Sequence, residues 1–86
     1  MKITMGPNPA SSLTVLNIQG DYTGEINLIC FDISGNNLRN ETFTKNGALL
    51  SRVINLYGFG EGIYFLKIQY PGVSRTLQLI KVSDRI

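Results

Sequence analysis

Between Gly62 and Tyr70 the chain alternates: Tyr64, Leu66, Ile68 and Tyr70 fall on one parity, Lys67 and Gln69 on the other. A period of two marks a strand with one face buried. Pro71-Gly72 ends it, because proline sets φ at the first central position of a turn and glycine accepts positive φ at the second. The chain is therefore predicted to reverse into a second strand over residues 75–82, forming an antiparallel hairpin. In that last strand Leu77 and Leu79 share one parity and Ile80 and Val82 the other, so the pattern leaves its buried face open. The approach, Gly58-Phe59-Gly60-Glu61-Gly62, carries glycine at three alternate positions. That is a loop signal, with Gly62 the position where positive φ or a close backbone approach is expected.

Upstream elements are shorter. Residues 1–5 suit an edge strand that Pro7 and Pro9 terminate, since neither can donate to a ladder, and Ala10-Ser11-Ser12 completes a turn. Residues 13–18 read as a strand with Leu13 and Val15 on one face and Thr14 on the other; Gln19-Gly20-Asp21 is a loop signal, and residues 22–25 form a connection centred on Gly24. Residues 26–33 are apolar on both parities, as expected of a central strand. The cluster Asp32-Ile33-Ser34-Gly35-Asn36-Asn37 predicts a hairpin into residues 38–44. A carboxylate opening such a turn accepts backbone amides two or three residues on, here those of Ser34 or Gly35. Lys45-Asn46-Gly47 is read as the next tight turn. Leu49, Val53 and Leu56 also suit a helical period, but the length of residues 49–56 and the Val53-Ile54 pair favour a strand. Six or seven strands with turn signals about every 8–12 residues predict an all-β fold, a single immunoglobulin-like antiparallel β-sandwich of about seven strands. The Cys, Trp and Cys of antibody domains are absent.

Composition narrows function more than fold. At 86 residues the chain is one domain near the lower size for a self-sufficient core, with room for one binding surface and not for a multi-part active site. With 43% apolar and 16% charged residues it is globular and not disordered. The net charge is +2 and the eight Lys and Arg residues are scattered, which argues against the basic stripe that nucleic-acid binding needs. No strong sign of an oligomer is present. There is no histidine, so Ser-His and Cys-His nucleophilic pairs and imidazole zinc sites cannot be assembled. No enzyme, metal or cofactor is expected.

The single cysteine, Cys30, cannot form an intrachain disulfide and sits between Ile29 and Phe31 as a core thiol. Asp21 and Glu25 lack the further oxygen ligands of a calcium loop and are read as solvated charge. Asn40-Glu41-Thr42 fits a glycan-acceptor pattern short enough to arise by chance. Tyr22, Tyr57 and Phe59 fall near loops and suggest an aromatic platform for a sugar. No apolar run approaches the ~20 residues needed to span a bilayer, and the amino terminus lacks the regions of a signal peptide. Any address is expected upstream in a longer protein or in the fold itself.

Three segments, in order, carry a family resemblance: Pro7-Asn8-Pro9-Ala10-Ser11-Ser12, then Phe31-Asp32-Ile33-Ser34-Gly35, then Gly62-Ile63-Tyr64-Phe65-Leu66-Lys67-Ile68 followed by Leu79-Ile80-Lys81. From about Met5 to Lys81 the chain resembles the type A C-terminal sorting domain of the type IX (Por) secretion system of Bacteroidetes. The resemblance implies a β-sandwich, here residues 1–86, at the end of a larger exported protein. Its implied partners are the outer-membrane translocon that recognises it and sortase-like components that often cleave it off. The cargo is then secreted or held at the cell surface. The sorting-motif residues it implies are Pro7, Asn8, Pro9, Asp32, Gly35, Gly62, Tyr64, Lys67 and Lys81. Two features depart from the family: Gly6 stands where an aromatic or aliphatic residue is usual, and Val82-Ser83-Asp84-Arg85-Ile86 continues past the usual end. The competing reading is a carbohydrate-binding or adhesive accessory β-sandwich domain.

Overall fold

A computed structural model describes residues 1–83 and contains seven strands. These are β1 (Lys2–Gly6), β2 (Leu13–Gln19), β3 (Gly24–Asp32), β4 (Asn37–Lys45), β5 (Leu49–Asn55), β6 (Gly62–Tyr70) and β7 (Val73–Lys81). They form a three-stranded sheet, β1-β2-β5, and a four-stranded sheet, β4-β3-β6-β7, with every named pairing antiparallel. This is the all-β sandwich expected, compatible with an immunoglobulin-like fold. The strand expected over residues 75–82 begins two residues earlier and ends one earlier, as β7; Asp84, Arg85 and Ile86 lie outside the described residues.

One core lies between the sheets. Ile3, Leu16, Ile18 and Ile54 face inward from the smaller sheet, and Ile26, Leu28, Cys30, Phe43, Leu66, Ile68 and Leu79 from the larger. The parity left open in β7 is decided in favour of Leu77 and Leu79: Leu79 is fully buried, whereas Ile80 is 39% exposed. The second apolar parity of β3 is not a second core. Phe31 turns outward and stacks on Phe65 of the neighbouring β6, with ring centroids 5.6 Å apart, so a cross-strand aromatic pair accounts for it.

In β2, Leu13 and Val15 share one face and Thr14 lies on the other, as expected, and the buried face is that of Thr14, Leu16 and Ile18; the Thr14 hydroxyl donates to the Pro7 carbonyl at 2.8 Å, which lets a polar residue occupy a core position. Two expectations are corrected. Gly24 is not the middle of a connection but the first residue of β3, paired with Lys45. Asn46-Gly47 is not a tight hairpin turn: Gly47 is not among the glycines at positive φ, and β4 and β5 lie in different sheets, so this segment carries the chain across the sandwich.

That crossover is organised by a residue the pattern did not single out. Lys45 is fully buried, and its ammonium donates to the carbonyls of Gly20 (2.6 Å), Tyr22 (2.9 Å) and Gly47. Three acceptors match its three N–H donors. Lys45 therefore ties the β2–β3 loop to the β4–β5 crossover. The two long edges are closed as well. Arg52 of β5 bonds Glu41 of β4 at 2.8 Å and lies over the Phe43 ring; on the other side the segment leaving β1 seals against β7.

Candidate functional site

That second seal is made by the Pro-Asn-Pro segment. β7 is the last strand of its sheet, so its outer edge presents unpaired backbone groups. The Asn8 side chain meets them as a peptide group would: Nδ2 donates to the Gln78 carbonyl at 2.8 Å, and Oδ1 accepts the Ile80 amide at 3.0 Å. Ala10 continues the seal with its backbone, donating to the Ile80 carbonyl and accepting from the Val82 amide, both at 2.9 Å. Pro7 and Pro9 hold this segment out of any regular strand, and both of their preceding peptide bonds are cis. Gly6, the departure from the family pattern, closes β1 opposite Val15, and a side chain there would meet open space.

Asp32 ends β3 at the same end of the sandwich. Its Oδ1 accepts the amides of Ser34 (3.0 Å) and Asn36 (2.9 Å), and its Oδ2 accepts the Asn36 side-chain amide at 3.1 Å. The Ser34 contact is as expected. The Gly35 amide instead goes to the Asp32 backbone carbonyl, and Gly35 takes φ +89°, where glycine has no Cβ penalty. The Asn36 side chain first, then the Asn36 and Ser34 amides, hold the Asp32 carboxyl below the usual range, because each bond favours the charged form.

Tyr64 pairs with Asp32 across β3–β6 and with Leu79 across β6–β7. Its ring packs on Phe59 at 4.9 Å, and its hydroxyl donates to the Gly60 carbonyl at 2.7 Å, so the glycine-rich approach is pinned to the strand it leads into. Gly62, two residues earlier, pairs with Lys81 and has φ +148° with open space around a would-be Cβ. Positive φ, and not close approach, is what requires glycine there. Lys81 is half-buried, and its ammonium donates to the Val82 carbonyl at 2.9 Å.

Pro7, Asn8, Pro9, Asp32, Gly35, Gly62, Tyr64 and Lys81 are thus gathered at one end of the sandwich. Lys67 is not. It pairs with Ile29 and Thr76 further along β6 and faces outward, about 10 Å from the Tyr64 row at strand spacing.

The aromatic platform is also not assembled. Tyr22 packs on Tyr70 at the far end, Phe59 lies between Tyr64 and the Arg39 guanidinium, and Tyr57, 89% exposed, pairs with neither ring. Cys30 is buried, and burial pushes its thiol pKa up, with Arg39 offsetting part of the rise. Among the described residues no group of three metal-binding side chains comes together, and no helix is long and apolar enough to cross a membrane. The sequence pattern places Asn36 and Lys45 only as parts of turns and does not single out Arg39; the side-chain role of each depends on partners fixed by the fold.

Comparison with known families decides between the two readings. The model of the secretion-system C-terminal sorting domain family matches residues 4–82. The chain belongs to this family. It is a C-terminal sorting signal of type IX secretion, which marks proteins for export across the outer membrane to a secreted or cell-surface location, and it interacts with that secretion machinery. The family is not one of enzymes. No curated protein and no solved structure matches the chain.

Proposed function

We propose that residues 1–86 form one type A sorting domain, carried at the end of a larger exported protein of Bacteroidetes type and read by the outer-membrane translocon as a folded body. The end that holds Pro7-Asn8-Pro9, the Asp32 turn, Gly62, Tyr64 and Lys81 is the face it presents. The supporting observation is convergence: residues more than seventy positions apart in the chain, Asn8 and Ile80, bond directly at that end. In this reading Asn8, Asp32, Gly35, Gly62 and Tyr64 shape the face, Lys81 contacts the translocon, and Lys67 acts apart from it. Sortase-like components act after passage.

A reporter carrying the chain at its carboxyl end, in a host with type IX machinery, tests the assignment. Lys81→Ala is expected to lower the secreted fraction severalfold while moving the thermal midpoint of the purified chain by no more than about 2–4 °C, the scale of an exposed-charge change. Asn8→Ala is expected to lower both together. Unchanged secretion for Lys81→Ala removes Lys81 from the contact, and a midpoint that falls in step with secretion makes it a structural residue.

A further inference from the structure

Beside the Pro-Asn-Pro seal lies a cleft of about 320 Å³ whose walls include Ser11, Ser12, Asn55, Tyr57, Phe59 and Lys81. Its floor is Leu56, which is fully buried. No Asp or Glu lines it. Each of its polar side chains has a donor to offer. Lys81 has three N–H groups and gives one to the Val82 carbonyl. The Asn55 side-chain oxygen is taken by the Tyr57 amide at 2.8 Å, which leaves that side chain its NH2 to offer. The Ser11 and Ser12 hydroxyls make no hydrogen bond among the described residues. Arg39, outside the lining, contacts two of the lining residues: it donates to the Asn55 carbonyl at 2.8 Å and lies 5.1 Å from the centre of the Phe59 ring.

Aromatic walls, several donor groups and a lining cation, Lys81, with no carboxylate among the lining residues favour a carboxylate carried on an apolar body. Resting on the sorting reading, we propose that this cleft binds an acidic peptide segment of the secretion machinery, with a Glu or Asp side chain at Lys81 and a neighbouring apolar side chain on Tyr57 and Phe59. Positive charge without a resident counter-charge sets the selectivity, and the Tyr57 and Phe59 rings supply the contact area.

The test is an NMR titration of the isotope-labelled 86-residue chain with two acetylated, amidated peptides: one alternating glutamate and leucine, the other alternating glutamine and leucine. The glutamate peptide is expected to shift the amides of Ser11, Ser12, Asn55, Tyr57, Phe59 and Lys81 in a saturable way. Its affinity should fall about threefold to fivefold in Lys81→Gln, the scale of a solvent-accessible ion pair, recover in Lys81→Arg, and weaken with added salt. Equal binding of the glutamine peptide, or shifts centred elsewhere, overturns the proposal. Both outcomes are read on the wild-type chain, so neither depends on a variant folding. Failure of the sorting reading shows separately, as reporter secretion that survives removal of the whole chain.

Discussion

Replacing Lys45 by methionine keeps an unbranched apolar stem of similar length and removes the charge and three donors. Each bond from the Lys45 ammonium to the Gly20, Tyr22 and Gly47 carbonyls is charge-assisted and contributes about 1.5–3 kcal/mol net. Against their loss stands the cost, several kcal/mol, of keeping an ammonium out of water, which the variant no longer bears. The three carbonyls sit in loops, so water reaches part of what the ammonium leaves. The balance is a destabilisation of about 2–4 kcal/mol, a large share of the roughly 4–13 kcal/mol available to a domain of this length. For a domain of this size it corresponds to a fall in thermal midpoint of about 10–25 °C. Urea midpoints at equal slope measure it, with Lys2→Met, an exposed lysine, as the control expected within about 0.5 kcal/mol of wild type. If the Lys45→Met and wild-type midpoints coincide, the carbonyl cage contributes nothing net and the crossover is held by core packing alone.

Asn8→Ala removes both side-chain bonds to the β7 edge and is expected to destabilise by about 1–2 kcal/mol, with faster hydrogen exchange at the Ile80 amide; an unchanged exchange rate there would mean the edge is sealed by Ala10 alone. Asp32 has a depressed pKa, so its turn contributes stability above the usual carboxylate range, and that contribution is lost as pH falls through the lower folded value. Asn36→Ala should raise the Asp32 pKa toward normal in a carboxyl-carbon NMR titration. Gly62→Val should cost about 1–3 kcal/mol through backbone strain, whereas Gly60→Ala, with open space and no positive φ, should shift the denaturant midpoint little. Cys30 should resist alkylation until the chain unfolds, because its buried thiol is held protonated; reaction at the rate of a free thiol in native buffer would contradict this.

Local rules in the sequence determined the elements and several of their ends. Alternation over Gly62–Tyr70 and the Pro71-Gly72 turn specify the β6–β7 hairpin, Asp32 and Gly35 specify the β3–β4 turn, and Gly62 falls where only glycine takes φ +148°. These depend on a few neighbouring residues, and so does the ordered set of motifs by which the family is recognised. The tertiary structure decided what the pattern held in balance. β7 could bury either Leu77 and Leu79 or Ile80 and Val82, and its register on β6 turns the first pair toward the core. Thr14 could enter the core only because the Pro7 carbonyl waits there, and Lys45 could be buried only because three carbonyls from separate loops converge on its ammonium. Asn8 gains its role from a strand edge seventy residues away. A hydrogen bond between distant segments leaves no period in the sequence, because its two ends are brought together by the closure of the sheets and not by spacing along the chain.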